Sequence, residues 1–267
     1  MTWPFDVAPP VPLPPGRPAP RDREEEPRPP LWISDGPAPA GLWEQLHQAH
    51  PQSGLWPLLL SPLHDRDPDY RPWLSGELYP ELVSDFEWYN PAALLRIWWE
   101  TGGEDNDEYG DDDGELAEAL APYGLRWPGT APAVPLPAGA ADTEARGLAG
   151  ALRSVKDVRL GLVPARSGAE ALAVCGWSGP ANHVGDTAKI SAVLADWERR
   201  FGAQVVEVGF DTLQLSVPVP PATLAEALPL AAEHIALCPD QIQHGAPTLT
   251  AYAELLVNSH QWYFWWD

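Results

Sequence analysis

Basic residues are scarce in this chain. Sixteen Lys and Arg stand against 38 Asp and Glu, for a formal net charge of −22 over 267 residues. A field of that sign repels phosphate backbones, so nucleic acid is not expected as a partner. Cysteine is equally sparse. Cys175 and Cys238 are too few for a disulfide framework, and both sit in apolar sequence where free cysteine is commonly buried. That usage fits a reducing cytoplasm. No run approaches the roughly 18 apolar residues of a membrane span. The opening MTWPFDVAPPVPLPP has no basic start followed by an apolar core, as a secretory signal requires. The expectation is a cytoplasmic protein without membrane contact. Reaction motifs are missing too: there is no GxSxG elbow or phosphate loop, and GWSGPANHVG (176–185) lacks the glycine spacing of a dinucleotide fingerprint.

What is abundant is proline, with 33 residues, and tryptophan, with 14. Eleven prolines and a charged run at 21–26 fall within residues 1–30, a composition that buries too little apolar surface to offset the entropy of ordering. A disordered tail is predicted there. Residues 31–127 carry Trp32, Trp43, Trp56, Trp73, Trp88, Trp98, Trp99 and Trp127, a ring density that implies a folded unit. LWEQLHQAH (42–50) and PAALLRIWWE (91–100) have helical spacing, and LWPLLL (55–60) reads as a buried strand. The acidic run EDNDEYGDDD (104–113) invites a calcium reading. Counted from Asp105, however, ligand positions fall on Tyr109 and Leu116, so the motif fails and a solvated loop is expected. PGTAPAVPLPAG (128–139) reads as a linker, and 141–267 as a second domain. Acidity is uneven: 26 acidic and 9 basic residues precede position 151, and 12 and 7 follow.

The second domain has a clearer pattern. LGLVPA (160–165) and EALAVCGW (170–177) read as strands, and KISAVLADWERRFG (189–202) as an amphipathic helix stopped by Gly202. QVVEVGF (204–210) and TLQLSVPV (212–219) read as a hairpin by alternation, followed by helices at 224–237 and 249–260 and an aromatic strand at 262–267. The fold class read from this order is α+β: a C-terminal ferredoxin-like βαββαβ sheet with one extra helix, preceded by a smaller Trp-rich α+β region. Such a sheet places the last strand beside the first.

Several separated motifs carry a resemblance. GLVPA (161–165), GW (176–177), LADWERRFGAQVVEVGFDTLQLSV (194–217), PP (220–221), AAEHIALCPD (231–240), TLTAYAELL (248–256) and the closing FWWD resemble the bacterial DUF4253 family over roughly 155–267. SGLWPLLL (53–60) resembles segments that precede the domain in actinobacterial members. The resemblance implies a domain boundary and transfers no catalytic residue.

Candidate chemistry concentrates in EHIALCPDQIQH (233–244). His234 and Cys238 are one helical turn apart, and with His244 or Asp240 they form a possible zinc-type ligand set, although no compact CxxC spacing accompanies them. An acid/base site assembled from Glu233, His234, Asp240 and His244, with Asn182 and His183 from the preceding loop, is the enzyme reading: a small hydrolase or metal-dependent enzyme. Trp197, Tyr263 and Trp265 are candidate interaction residues. With no reaction motif and a strongly acidic field, the leading expectation is a non-catalytic interaction module without a cofactor. In its most concrete form it is immunity-like or inhibitory toward a basic protein.

Overall fold

The computed structural model describes residues 3–20, 29–102 and 113–267. The charged run at 21–26 and the acidic stretch at 104–112 lie outside these residues. Among the described residues seven strands form one sheet: β1 (Gly16–Pro18), β2 (Trp32–Pro37), β3 (Leu55–Leu60), β4 (Arg159–Pro164), β5 (Gln204–Val208), β6 (Thr212–Ser216) and β7 (Gln261–Trp265). Their spatial order is β1-β2-β4-β3-β5-β6-β7. Every neighbouring pair is antiparallel except β3 and β5, which run parallel.

The mixed α+β class holds, but the ferredoxin-like order does not describe this sheet. The last strand pairs with β6 rather than with β4, because β3 occupies one edge of β4 and β2 the other. Strands from the Trp-rich region thus interleave with those of the C-terminal region, and the two share one core. Residues 16–18, within the expected tail, pair with β2. The segment 170–177, expected as a strand, is instead helix α5 (Gly168–Cys175). Ser167 caps it by accepting from Glu170 N, and Gly176 ends it at φ 67°. A short apolar run does not distinguish a buried helix from a buried strand, and here the caps decide.

Alternation along the strands sorts the side chains onto two faces. On one face Trp56, Leu58, Leu60, Val163, Val205, Leu213, Leu215, Trp262 and Phe264 join the larger core. It is covered by α2 (Pro91–Thr101), α5, α6 (Thr187–Phe201), α7 (Leu224–Leu237) and α8 (Leu249–Leu256). On the other face Trp32, Leu55, Leu59, Leu160, Leu162 and Val206 pack against α1 (Leu42–Ser53) and α4 (Ala140–Val155). The remaining short helix, α3 (Asp113–Ala119), follows the acidic stretch. No helix among the described residues is long and apolar enough to cross a membrane.

Local sequence explains the helix ends. Asp186 caps α6 and Gly202 stops it at φ 67°; Thr223 and Glu226 form a reciprocal capping box on α7; Thr248 caps α8. The proline-rich stretch at 128–139 has no helix or strand, yet it is strapped to the helices. Val134 N donates to Arg200 O at 3.0 Å, and Ala131 uses both its backbone groups on an ion pair described below.

Candidate functional site

The run 233–244 divides at Pro239 into an inward-facing half and an outward-facing half. On α7, Glu233 and His234 are fully buried. Glu233 receives Arg200 Nη2 at 2.5 Å and Nη1 at 3.0 Å, Trp197 Nε1 at 2.7 Å and Ala131 N at 2.6 Å. Arg200 also donates to Asp196 Oδ2 at 2.6 Å and to Ala131 O at 2.8 Å. Burial alone acts to lower the Arg200 pKa, but the Glu233 hydrogen bonds and charge overcome it and hold the guanidinium more firmly protonated. This network is closed: its charges are opposed and the Glu233 lone pairs are occupied. His234 lies beside it, its Nδ1 3.1 Å from Tyr252 Oη and its ring among Trp197, Trp262 and Phe264. Burial, with the Arg200 charge adding, pushes the His234 pKa down to about 3. Neither residue reaches solvent, so the expected four-residue acid/base cluster is not assembled.

Beyond Pro239 the chain turns. A single π-type turn over Gln241–Gly245 brings His244 back toward Asp240, with Nδ1 3.0 Å from Oδ1. His183, from the loop before α6, places Nε2 2.9 Å from the other oxygen, Oδ2, which also accepts from Asp267 N at 3.1 Å. Asn182 Nδ2 donates to Asp267 O at 3.0 Å and ties that loop to the C-terminal residue. The Asp240 carboxylate is nearly inaccessible, whereas His244 is half exposed. A buried carboxylate facing Nδ1 orients an imidazole and leaves Nε2 open, the arrangement that general-base chemistry uses.

The expected metal set does not converge. Cys238 Sγ donates to Trp265 O at 2.9 Å, and burial raises its pKa well above the usual thiol range; His234 turns to Tyr252, and His244 to Asp240. Among the described residues no group of three or more His, Cys, Asp or Glu is placed to hold a metal.

The interaction candidates also separate. Trp197 is fully buried, because its indole N–H is spent on Glu233 and its ring stacks on Phe264, so it belongs to the core and not to a contact surface. Tyr263 is exposed and Trp265 partly so. They lie on β7, an edge strand, but its outward carbonyls are already taken. Ser259 Oγ donates to Gln261 O at 2.7 Å, Gln241 Nε2 to Tyr263 O at 2.7 Å, and Cys238 to Trp265 O. This capping protects the edge against pairing with another strand.

A different surface went unrecognised in the sequence. Leu82 and Trp88 are 67% and 76% exposed, each ending one of two short 3-10 turns, Pro80–Leu82 and Phe86–Trp88, in the loop at 79–90. The loop is seated at two points. Tyr79 N donates to Gly176 O at 2.9 Å, and Tyr79 and Pro80 pass so close to Gly176 that a Cβ there would lie 2.1 Å from Pro80 N. Ser84 N and Tyr89 Oη donate to Asp186 at 3.2 and 2.9 Å, and Ser84 Oγ binds the same carboxylate. Burial acts to raise the Asp186 pKa, but these hydrogen bonds and that of Ala188 N hold it below the usual range. Glu81, Asp85 and Glu87 flank the two apolar side chains and are exposed; Glu87 also pairs with Arg166 at 2.9 Å. Only the neighbouring caps Asp85 and Asn90 hint at this in the sequence.

No curated protein and no solved structure matches the chain. A family model does match, over residues 159–267, close to the span the sequence motifs delimit. Its description, a domain of unknown function, brings no activity with it. From β4 to the C-terminal residue, the chain carries a DUF4253 domain.

Proposed function

We propose that this chain is a non-catalytic interaction module that docks a basic protein through the loop at 79–90. The observation that carries this reading is the pair Leu82 and Trp88, large apolar side chains turned to solvent on a loop held by Gly176 and Asp186. A seated loop loses little conformational entropy on binding, and an exposed tryptophan is the commonest kind of interface anchor. The acidic flank favours a partner of opposite charge and a salt-sensitive association rate. An immunity-like or inhibitory role toward such a partner is the concrete form of the proposal. Affinity capture with the full chain at low and at high salt tests it. A basic protein retained at low salt should be weakened by added salt and lost with Trp88→Ala; equal retention by Trp88→Ala removes this surface from consideration.

The hydrolase reading has one observation in its favour, the Asp240 carboxylate set between His183 and His244. It now rests on His244 as general base with Asp240 as the positioning residue, without Glu233 or His234. An activity of the wild-type chain that His244→Ala leaves intact would retire this reading.

A further inference from the structure

At the end of the sheet where the parallel strands β3 and β5 finish, a cavity of about 750 Å³ opens between the loop after β3, the junction of α4 and β4, and the ends of β2, β6 and β7. Its volume lies within the range of small-molecule sites, and its position outside the carboxyl ends of parallel strands is where open sheets commonly bind ligands. It is far removed in character from the Asp240 pair and the Trp88 loop, neither of which lines it.

Two opposite charges lie two residues apart on its wall. Val158 is buried, and the residues on either side of it, Asp157 and Arg159, both line the cavity. They form no ion pair with each other or with any other described residue. The reason is visible in the packing: the Arg159 guanidinium sits 4.0 Å over the ring of Tyr70. Tyr70 in turn is fixed at both sides of its hydroxyl, donating to Leu60 O at 2.5 Å and accepting from Arg159 N at 3.0 Å. Tyr70 and Arg66 have φ of 48° and 67°, a left-handed conformation that non-glycine residues adopt only at a cost.

Three other charges in the cavity are committed. Lys156 contacts both oxygens of the buried Glu207 at 2.9 and 3.0 Å; Asp35 is paired with Arg17 at 2.6 Å; Asp67 spends its carboxylate on the N–H groups of Asp69 and Arg71. Among the charged lining residues, those without an ion pair are Arg159, preset by Tyr70, with Asp157 two residues away, and the exposed Asp65 and Arg66 on the loop after β3.

We infer that this cavity binds a small zwitterion of the free amino-acid type, whose carboxylate meets Arg159 and whose ammonium group meets Asp157. A guanidinium held by stacking presents a planar fork to a carboxylate without losing further side-chain freedom. A ligand carrying one charge satisfies one of these groups and faces like charge at the other, so the pair selects for molecules bearing both.

The test is a melting-temperature and amide-NMR titration of the full chain with each of the free L-amino acids, with acetate and methylammonium as one-charge controls. At least one amino acid is expected to raise the melting temperature and to shift the amides of residues 155–159 and Thr212, with the controls inactive. Arg159→Gln and Asp157→Asn should each weaken that binding by roughly tenfold or more. Asp157 is exposed and makes no ion pair, so its variant keeps the fold intact should Arg159→Gln disturb Tyr70. No response to any amino acid, an equal response to acetate, or binding unchanged in Asp157→Asn would each overturn the inference.

Discussion

Glu233 and Asp240 are seven residues apart, and each is a buried carboxylate engaged with nitrogen donors, yet they are built for different ends. Glu233 is closed in by Arg200, Trp197 and the backbone of Ala131, and nothing in that network reaches solvent. Asp240 binds two imidazoles, and one of them, His244, extends into water. A network that is closed specifies how elements pack; here it locks α6, α7 and the strap at 128–139 together. One with an open end has a group left over for chemistry or recognition. Residue type does not separate the two cases, since both halves of the run contain a carboxylate and a histidine.

Removing the closed carboxylate should therefore cost most. Glu233→Ala leaves buried Arg200 with Asp196 alone opposing its charge and strips Trp197 Nε1 and Ala131 N of their acceptor, with an expected loss of about 3–5 kcal/mol in chemical denaturation. The paired change Glu233→Leu with Arg200→Met should recover much of it, since apolar replacements of a buried ion pair are often tolerated. A single variant as stable as wild type would break the comparison at its first term.

The next largest effect is a pH dependence. With its folded pKa pushed down to about 3, His234 favours folding above the unfolded value near 6.5, and that stability is lost as pH falls. About 3 kcal/mol should be gone by pH 4. Urea titrations across this range should show a slope that His234→Gln flattens and His244→Ala leaves alone. If His244→Ala flattened it instead, the inner and outer histidines would have exchanged roles.

Glu198, also on α6, sharpens the comparison as a largely buried carboxyl with no cation beside it. Burial pushes it up to about 7, with Ser167 opposing and the Asp142 charge adding to the rise. A raised acid pKa stabilises the fold at low pH, and this contribution disappears as pH climbs from about 4.5 through 7. Glu198→Gln should gain at most about 3 kcal/mol at pH 8 relative to wild type and little at pH 4. The smallest effect belongs to the open end: His244→Ala should change stability by less than about 0.5 kcal/mol, as befits a half-exposed side chain.

Much of the secondary structure was legible in the sequence because it is locally encoded. The buried strand at 55–60, the helix at 224–237 with its Thr223–Glu226 box, and the helix stopped by Gly202 all follow from periodicity and caps. The helix at 168–175 was not, since eight apolar-rich residues have too few turns to show a period. Nor was α4, whose buried side, Ala145, Ala149 and Leu152, has a single large apolar residue. Of the site residues, Asp240, His244 and His183 could be named from type and position, but their meeting depends on a turn after Pro239 and on a loop some sixty residues earlier.

By itself, the sequence determined the charge, the absence of a disulfide framework or a familiar reaction motif, and most helices and strands, because composition and short-range hydrogen bonding settle those. The tertiary structure alone decided that two compositionally distinct regions share one sheet, that Trp197 is core while Trp88 faces solvent, and that Asp157 and Arg159 line one cavity without pairing to each other. Those outcomes depend on strand order and on which face of each element finds a partner, and both are set by contacts between residues far apart in the chain.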